Sequence, residues 1–199
     1  MPFTDNRFPH LKGNAWPSQQ PVPTFDWVCG YCSNQVASSV GWERAIGGVG
    51  NYYIRLCSHC NGPTFFLVDG EHFPAHMPGA SVPNVPDGLA RLYEEARSSA
   101  AAGAPTAAVL VCRKILMNIA VAEGAPEGRR FIEYVEYLDE KGFVPPKGKV
   151  WVDYIRRKGN EATHEIALMK ADDARGLVEF VEKLLRDTYD FPARVPPAP

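Results

Sequence analysis

Hydrophobic positions change period about two-fifths of the way along the chain. From residue 87 onward they recur at helical spacing. Leu89, Leu92, Tyr93 and Ala96 form an i, i+3, i+4, i+7 stripe, with Asn84 or Asp87 placed to cap it and Gly103 to end it. Pro105 suits the first turn of a second helix, whose Ala108, Val111, Cys112, Ile115, Leu116 and Ile119 keep the same spacing. Apart from Arg113, Lys114 and Asn118 that helix is apolar nearly all round, so it is expected at the centre, with Cys112 as a small buried hydrophobe. Phe131 or Ile132, Val135 and Leu138 predict a third helix closed by Gly142. Val150 to Lys158 predict a short fourth, stopped by Gly159. Ala174, Leu177, Val178, Val181, Leu184 and Leu185 predict a fifth, opened by Asp172 and Asp173 and stopped by Pro192. Short connections between such helices imply an antiparallel bundle.

Before residue 73 the pattern is strand-like. Gln35–Gly41 and Asn51–Leu56 read as strands, and Phe65-Phe66-Leu67-Val68 as another. The expected organisation is an N-terminal extension (1–24), a small β ribbon (25–72), a Pro-rich linker (73–86), a helical bundle (87–192) and a disordered tail (193–199). The expected class is therefore mainly α, an antiparallel helical bundle with a small N-terminal β ribbon. Pro74 to Pro86 holds four prolines and no charge, which excludes a helix or a central strand there. His72 and His76 are read as linker residues.

Composition sharpens this division. The chain has 199 residues and a net charge of −2. Residues 1–80 carry 4 Lys+Arg and 5 Asp+Glu, and residues 81–199 carry 17 and 18, so a charge-poor part precedes a charge-rich one. That balance excludes a protein that coats nucleic acid by bulk charge. No run approaches the ~18 apolar residues of a membrane span, and the first residues lack a secretory pattern. A cytoplasmic protein without a membrane partner is the expectation.

Four of the five cysteines lie in the first part, as Cys29-Gly-Tyr-Cys32 and Cys57-Ser-His-Cys60, with 24 residues between the pairs. Each C-x2-C turn offers two thiolates to one ion, and two turns complete a tetrahedral shell. The spacing predicts one structural Zn2+ per chain, a zinc ribbon, since cytosolic disulfides are rare and a redox C-x-x-C would need a βαβ context. Metal binding would supply most of the folding energy of so small a segment. His59 is expected to point outward. Trp27, Tyr31, Tyr52 and Tyr53 lie near this site, either as filling for the ribbon or as surfaces on which bases stack.

The densest polar cluster is Tyr154-Ile-Arg-Arg-Lys-Gly-Asn-Glu-Ala-Thr-His164. Lys147 to Lys158 hold five basic residues against one acid, a local +4. An Arg grips phosphate bidentately, and a His moves protons near neutrality. Arg157 and His164, supported by Arg156, Asn160 and Glu161, are candidates for cleaving a phosphodiester without metal. Lys147, Lys149, Lys158 and Arg113 are candidate nucleic-acid contacts. The plainer reading leaves Asn160 and His164 bonding the backbone at a helix break and the arginines solvated. No P-loop or dinucleotide fingerprint occurs.

From Val85 the chain resembles a bacterial domain of unknown function that also occurs fused to type I restriction subunits. The resemblance covers about residues 80–192. It rests on Tyr93-Glu-Glu95-Ala96, on Ala107-Ala108 with Arg113, on the Ile155-to-His164 block, and on Tyr189 to Pro192. It implies the HEPN superfamily, whose helical bundles dimerise and whose active members are metal-independent RNases using Arg-x4–6-His. Six residues lie between Arg157 and His164, within that pattern. Seven residues lie between Arg156, which matches the Ile-Arg of the block, and His164, outside the pattern, and Lys158 follows Arg157 where a polar amide is usual. The resemblance thus implies a homodimer that is either a metal-independent endoribonuclease in phage defence or a toxin system, or a non-catalytic nucleic-acid-binding or adaptor module docking a partner protein of a restriction or defence complex.

Overall fold

The computed structural model describes residues 16–144, 154 and 168–195. The chain forms two compact units, residues 1–77 and 78–199. The first is a five-stranded antiparallel meander in sequential order: β1 (Gln20–Val28), β2 (Gln35–Ile46), β3 (Gly50–Leu56), β4 (Pro63–Phe66) and β5 (His72–Phe73). This overturns the expected class. The chain is not mainly α, because its first part is a substantial sheet with strands the pattern did not reveal.

The reasons are local. β1 carries Pro21 and Pro23, which break the alternation and hide it, yet as an edge strand it need not donate every N–H. Its register with β2 shifts between Pro21 and Phe25. The far half of β2, Glu43 to Ile46, is exposed on both faces and shows no alternation at all. His72, taken for a linker residue, lies in β5 with its ring stacked on Phe66 at 5.2 Å. The core is small: Trp27, Cys29, Val36, Cys57 and Phe66, with Trp27 edge-on to Phe66 at 5.2 Å.

The second unit is helical: α1 (Asp87–Ala101), α2 (Pro105–Ala122), α3 (Phe131–Glu140) and α4 (Ala171–Leu185), followed by a wider π turn (Arg186–Asp190) and the short α5 (Phe191–Ala193). α2 packs against α1, α3 and α4. Its Ala108, Val109, Cys112, Ile115, Leu116, Ile119 and Ala120 are buried. Its 18 residues have a mean hydropathy of 1.5, so by length and composition it reaches the span-like run the sequence reading did not find. Its place in the core of this unit accounts for that apolarity. Gly124, at φ +101°, ends it with an Ala125 N–H to Ala120 carbonyl bond of 2.8 Å.

Two expected helix ends differ. The Pro86 carbonyl, and not Asn84 or Asp87, receives the first amides of α1. Asn84 takes a left-handed φ of 61° and donates its amide to Asp190 at 3.0 Å. Pro192 does not stop the last long helix, which already widens at Arg186. The proline sits in the first turn of α5, where its missing N–H costs nothing. The expected fourth helix (150–158) lies outside the described residues except for Tyr154, whose hydroxyl donates to Asp173 at 2.8 Å. Residues 1–15 of the expected extension and 196–199 of the expected tail lie outside them as well.

The segment entering α1 is held by a buried ion pair. Arg97 and Glu94, side chains 4% and 6% exposed, meet at 2.7 Å. Arg97 also donates to the carbonyls of Pro78 at 2.9 Å and Gly79 at 2.8 Å. Ser81 donates to Glu94 at 2.8 Å, and the Ala80 N–H to Glu182 at 3.0 Å. The prolines of this stretch forbid helix but leave its carbonyls free for a guanidinium. Arg97→Ala strands the Glu94 carboxylate in the interior and should cost about 3–5 kcal/mol. Urea unfolding of the full chain checks this, with Arg91→Ala on the same helix expected to cost little.

Candidate metal centre

Cys29 and Cys32 follow β1, and Cys57 and Cys60 follow β3. Each pair sits in the same backbone loop. The Cys29 N–H donates to the Asn34 carbonyl at 3.0 Å, and the Ser33 N–H returns to the Cys29 carbonyl at 2.8 Å. The second pair repeats this: Cys57 N–H to Gly62 carbonyl at 3.0 Å, Asn61 N–H to Cys57 carbonyl at 2.9 Å. The fifth residue of each loop is left-handed, Ser33 at φ 57° and Asn61 at φ 59°. Two like knuckles on neighbouring hairpin turns therefore face each other.

The four sulfur atoms lie within 4.8 Å of one another. Cys29 and Cys60 Sγ are 3.8 Å apart, as are Cys32 and Cys57. A disulfide needs about 2.05 Å, and all four cysteines are free. Sulfurs 3.8 Å apart stand ~2.3 Å from the centre of a regular tetrahedron, which is a metal–thiolate bond length. The four cysteines thus form a possible metal site. Backbone N–H groups of Tyr31, His59 and Cys60 point at the sulfurs of Cys29 and Cys57 at 3.4 Å. Hydrogen bonds from the Cys29 and Cys60 thiols, joined by those amides, hold the Cys57 thiol well below its ordinary range. Hydrogen bonding of the Cys60 thiol to Cys29 and Cys57, together with burial, pushes Cys60 up.

His59 is exposed, its Nδ1 3.3 Å from the Asn34 amide, and is not among the clustered ligands. Trp27 is core. Tyr53 lies under the guanidinium of Arg55, 4.5 Å from its centroid, and Tyr52 stacks on Phe65. Arg55 was not singled out from sequence. It is 3% exposed and also lies over Phe25 and Phe66, and burial lowers its pKa. A further sequence signal for the second knuckle is Asn61, a residue that tolerates the left-handed region, directly after its C-x2-C, whereas Ser33 in the first carries no such preference.

Arg113 lies on α2 with its guanidinium 4.5 Å from the centroid of Phe131. Lys147, Lys149, Arg156, Arg157, Lys158, Asn160, Glu161 and His164 lie outside the described residues. Cys112 is fully buried in α2, and burial pushes its thiol up to about 12.

Fold and site define a four-cysteine β unit followed by a helical unit. The helical part is matched by the family model described as a domain of unknown function (DUF4145), over residues 94–197, and the chain belongs to that family. The match begins inside α1 and leaves the cysteine centre outside it. No curated protein and no solved structure matches the chain.

Asn61→Val puts a β-branched side chain at φ 59° and should weaken the second knuckle by about 1–2 kcal/mol, whereas Asn61→Gly should be close to neutral. Competition for the metal with a chromophoric chelator separates the two.

Proposed function

We propose that the protein is a non-catalytic nucleic-acid-binding module, its β unit held by one structural Zn2+ and its helical unit pairing with a second copy. The closed donor set carries the structural role of the ion, and the local basic run carries the nucleic-acid contact. Four thiolates fill a tetrahedral shell and leave no position for water or substrate, so the ion stabilises and does not react. Zinc fits four sulfurs at this spacing, and a β unit with so small a core depends on it. The near-neutral charge limits nucleic acid to local contacts. Lys147, Lys149 and Lys158, beside Arg156 and Arg157, offer such a contact, and Arg113 is a further candidate. The HEPN resemblance supports both pairing and docking to a partner protein of a cytoplasmic restriction or defence complex. Native mass spectrometry should show a dimer carrying one zinc per chain. A metal-free chain with two disulfides overturns the zinc, and a monomer overturns the pairing.

The spacing of Arg157 and His164 favours a second reading, a metal-independent RNase of phage defence or a toxin system. Arg157 would hold the phosphate, His164 would move the proton, and Asn160 and Glu161 would orient them. His164→Ala should then lower RNA cleavage in chelator about 10²–10⁴-fold while zinc content stays unchanged. Equal behaviour of the two proteins leaves the non-catalytic reading.

A further inference from the structure

The face of the sheet opposite the metal core carries a row of large side chains. Trp42, Ile54, Phe65 and Phe73 are direct cross-strand partners from β2 to β5, so they share one face. Ile54 is 39% exposed, and Phe65 and Phe73 are each 40% exposed. Tyr52, two residues from Ile54 and therefore on the same face, lies nearly parallel to Phe65, with centroids 6.0 Å apart at 16°. Arg44 pairs with Tyr52 across the strands and is exposed.

The buried cluster of the sheet lies on the other face around Trp27 and Phe66, while on this face Trp42 is half-buried and edge-on to Trp16 at 6.0 Å, leaving Ile54, Phe65 and Phe73 as its exposed members. The distribution of charge says what the row suits. From Val40 to Ile46 of β2, and over β3, β4 and β5, the only charged side chain on this face is Arg44. The acid of that span, Glu43, is on the opposite face, where its carboxylate accepts from Tyr53 and Asn51. Within these strands the row thus presents flat rings beside a single cation, Arg44, and its one neighbouring acid is the exposed Glu71, just before β5 at the end of the row away from Arg44. A protein strand has little to pair with at the far edge, because β5 is two residues long and Pro74 follows it.

We infer that this face binds single-stranded nucleic acid, with unpaired bases stacking on the rings of Phe65, Tyr52, Phe73 and Trp42 and Arg44 meeting a phosphate. The inference rests on the nucleic-acid-binding reading above and places the contact on the sheet in addition to the basic run at 147–158. Stacking needs a π face and no particular base, so the site is tolerant of sequence. With one cation, binding to it depends weakly on salt, with a log–log slope near about −0.7 for a single strand.

Fluorescence anisotropy with the zinc-loaded full chain tests this, using labelled oligouridine, oligothymidine and a DNA duplex. The expected result is binding of both single strands in preference to the duplex, with a shallow salt slope. Phe65→Ala and Phe73→Ala should each weaken it about ten-fold or more. Arg44→Glu should weaken it at unchanged fold, and Phe65→Tyr should restore it. Zinc content reports whether each variant is folded. If Phe65→Ala loses zinc, Arg44→Glu and Phe73→Ala decide. Binding that survives these changes but is lost in Lys149→Glu, with a steep salt slope, overturns the sheet face and keeps the nucleic-acid reading. Wild-type protein that binds no nucleic acid overturns both. A dimer that falls to monomer in Phe65→Ala assigns the face to a second copy and overturns the inference.

Discussion

Four sulfur atoms within 4.8 Å of one another constrain everything in the first unit. Thiolates at that distance repel, and only a cation at their centre makes the arrangement favourable. To deliver them, the chain bends twice through the same loop, each with a left-handed residue after its second cysteine. β1 and β3 end at those loops, and β2 and β4 start from them, so the two cysteine loops also join two of the paired strands. The core beside it includes two of the ligands, Cys29 and Cys57, which shows how little apolar burial the sheet has without the centre.

The helical unit is held differently. Its centre is α2, buried along its length by three other helices, and the dominant force is removal of apolar surface from water. Within that apolar setting the Glu94–Arg97 pair is an exception. Every strong contact of the guanidinium is met by a carbonyl, hydroxyl or carboxylate, which is what lets a charge survive there. The pair ties residues 78–81 to α1, and Val82 joins the helical core directly after.

Much of the helical unit was legible because a 3.6-residue period repeats many times within each helix. The stripe residues Ala174, Leu177, Val178, Val181, Leu184 and Leu185 are the buried residues of α4, and Phe131, Val135 and Leu138 are buried in α3. The sheet was less legible. A period of two over four to seven residues carries little signal, and in β1 two prolines and a register shift erase it. Residues 73–86 looked like a linker because composition records what proline forbids, not which carbonyls a distant arginine will seek.

By itself the sequence determined the four-cysteine spacing, the helical stripes and the turn glycines, since each depends on residues close together in the chain. Tertiary structure alone decided which faces those elements share. That Trp42, Ile54, Phe65 and Phe73 stand in one row, that Arg55 is buried among three rings, and that Arg97 reaches Pro78 and Gly79 all depend on register and packing between segments far apart in sequence. One residue of slip in a strand would send the exposed row to the other side, so no local pattern could have shown it.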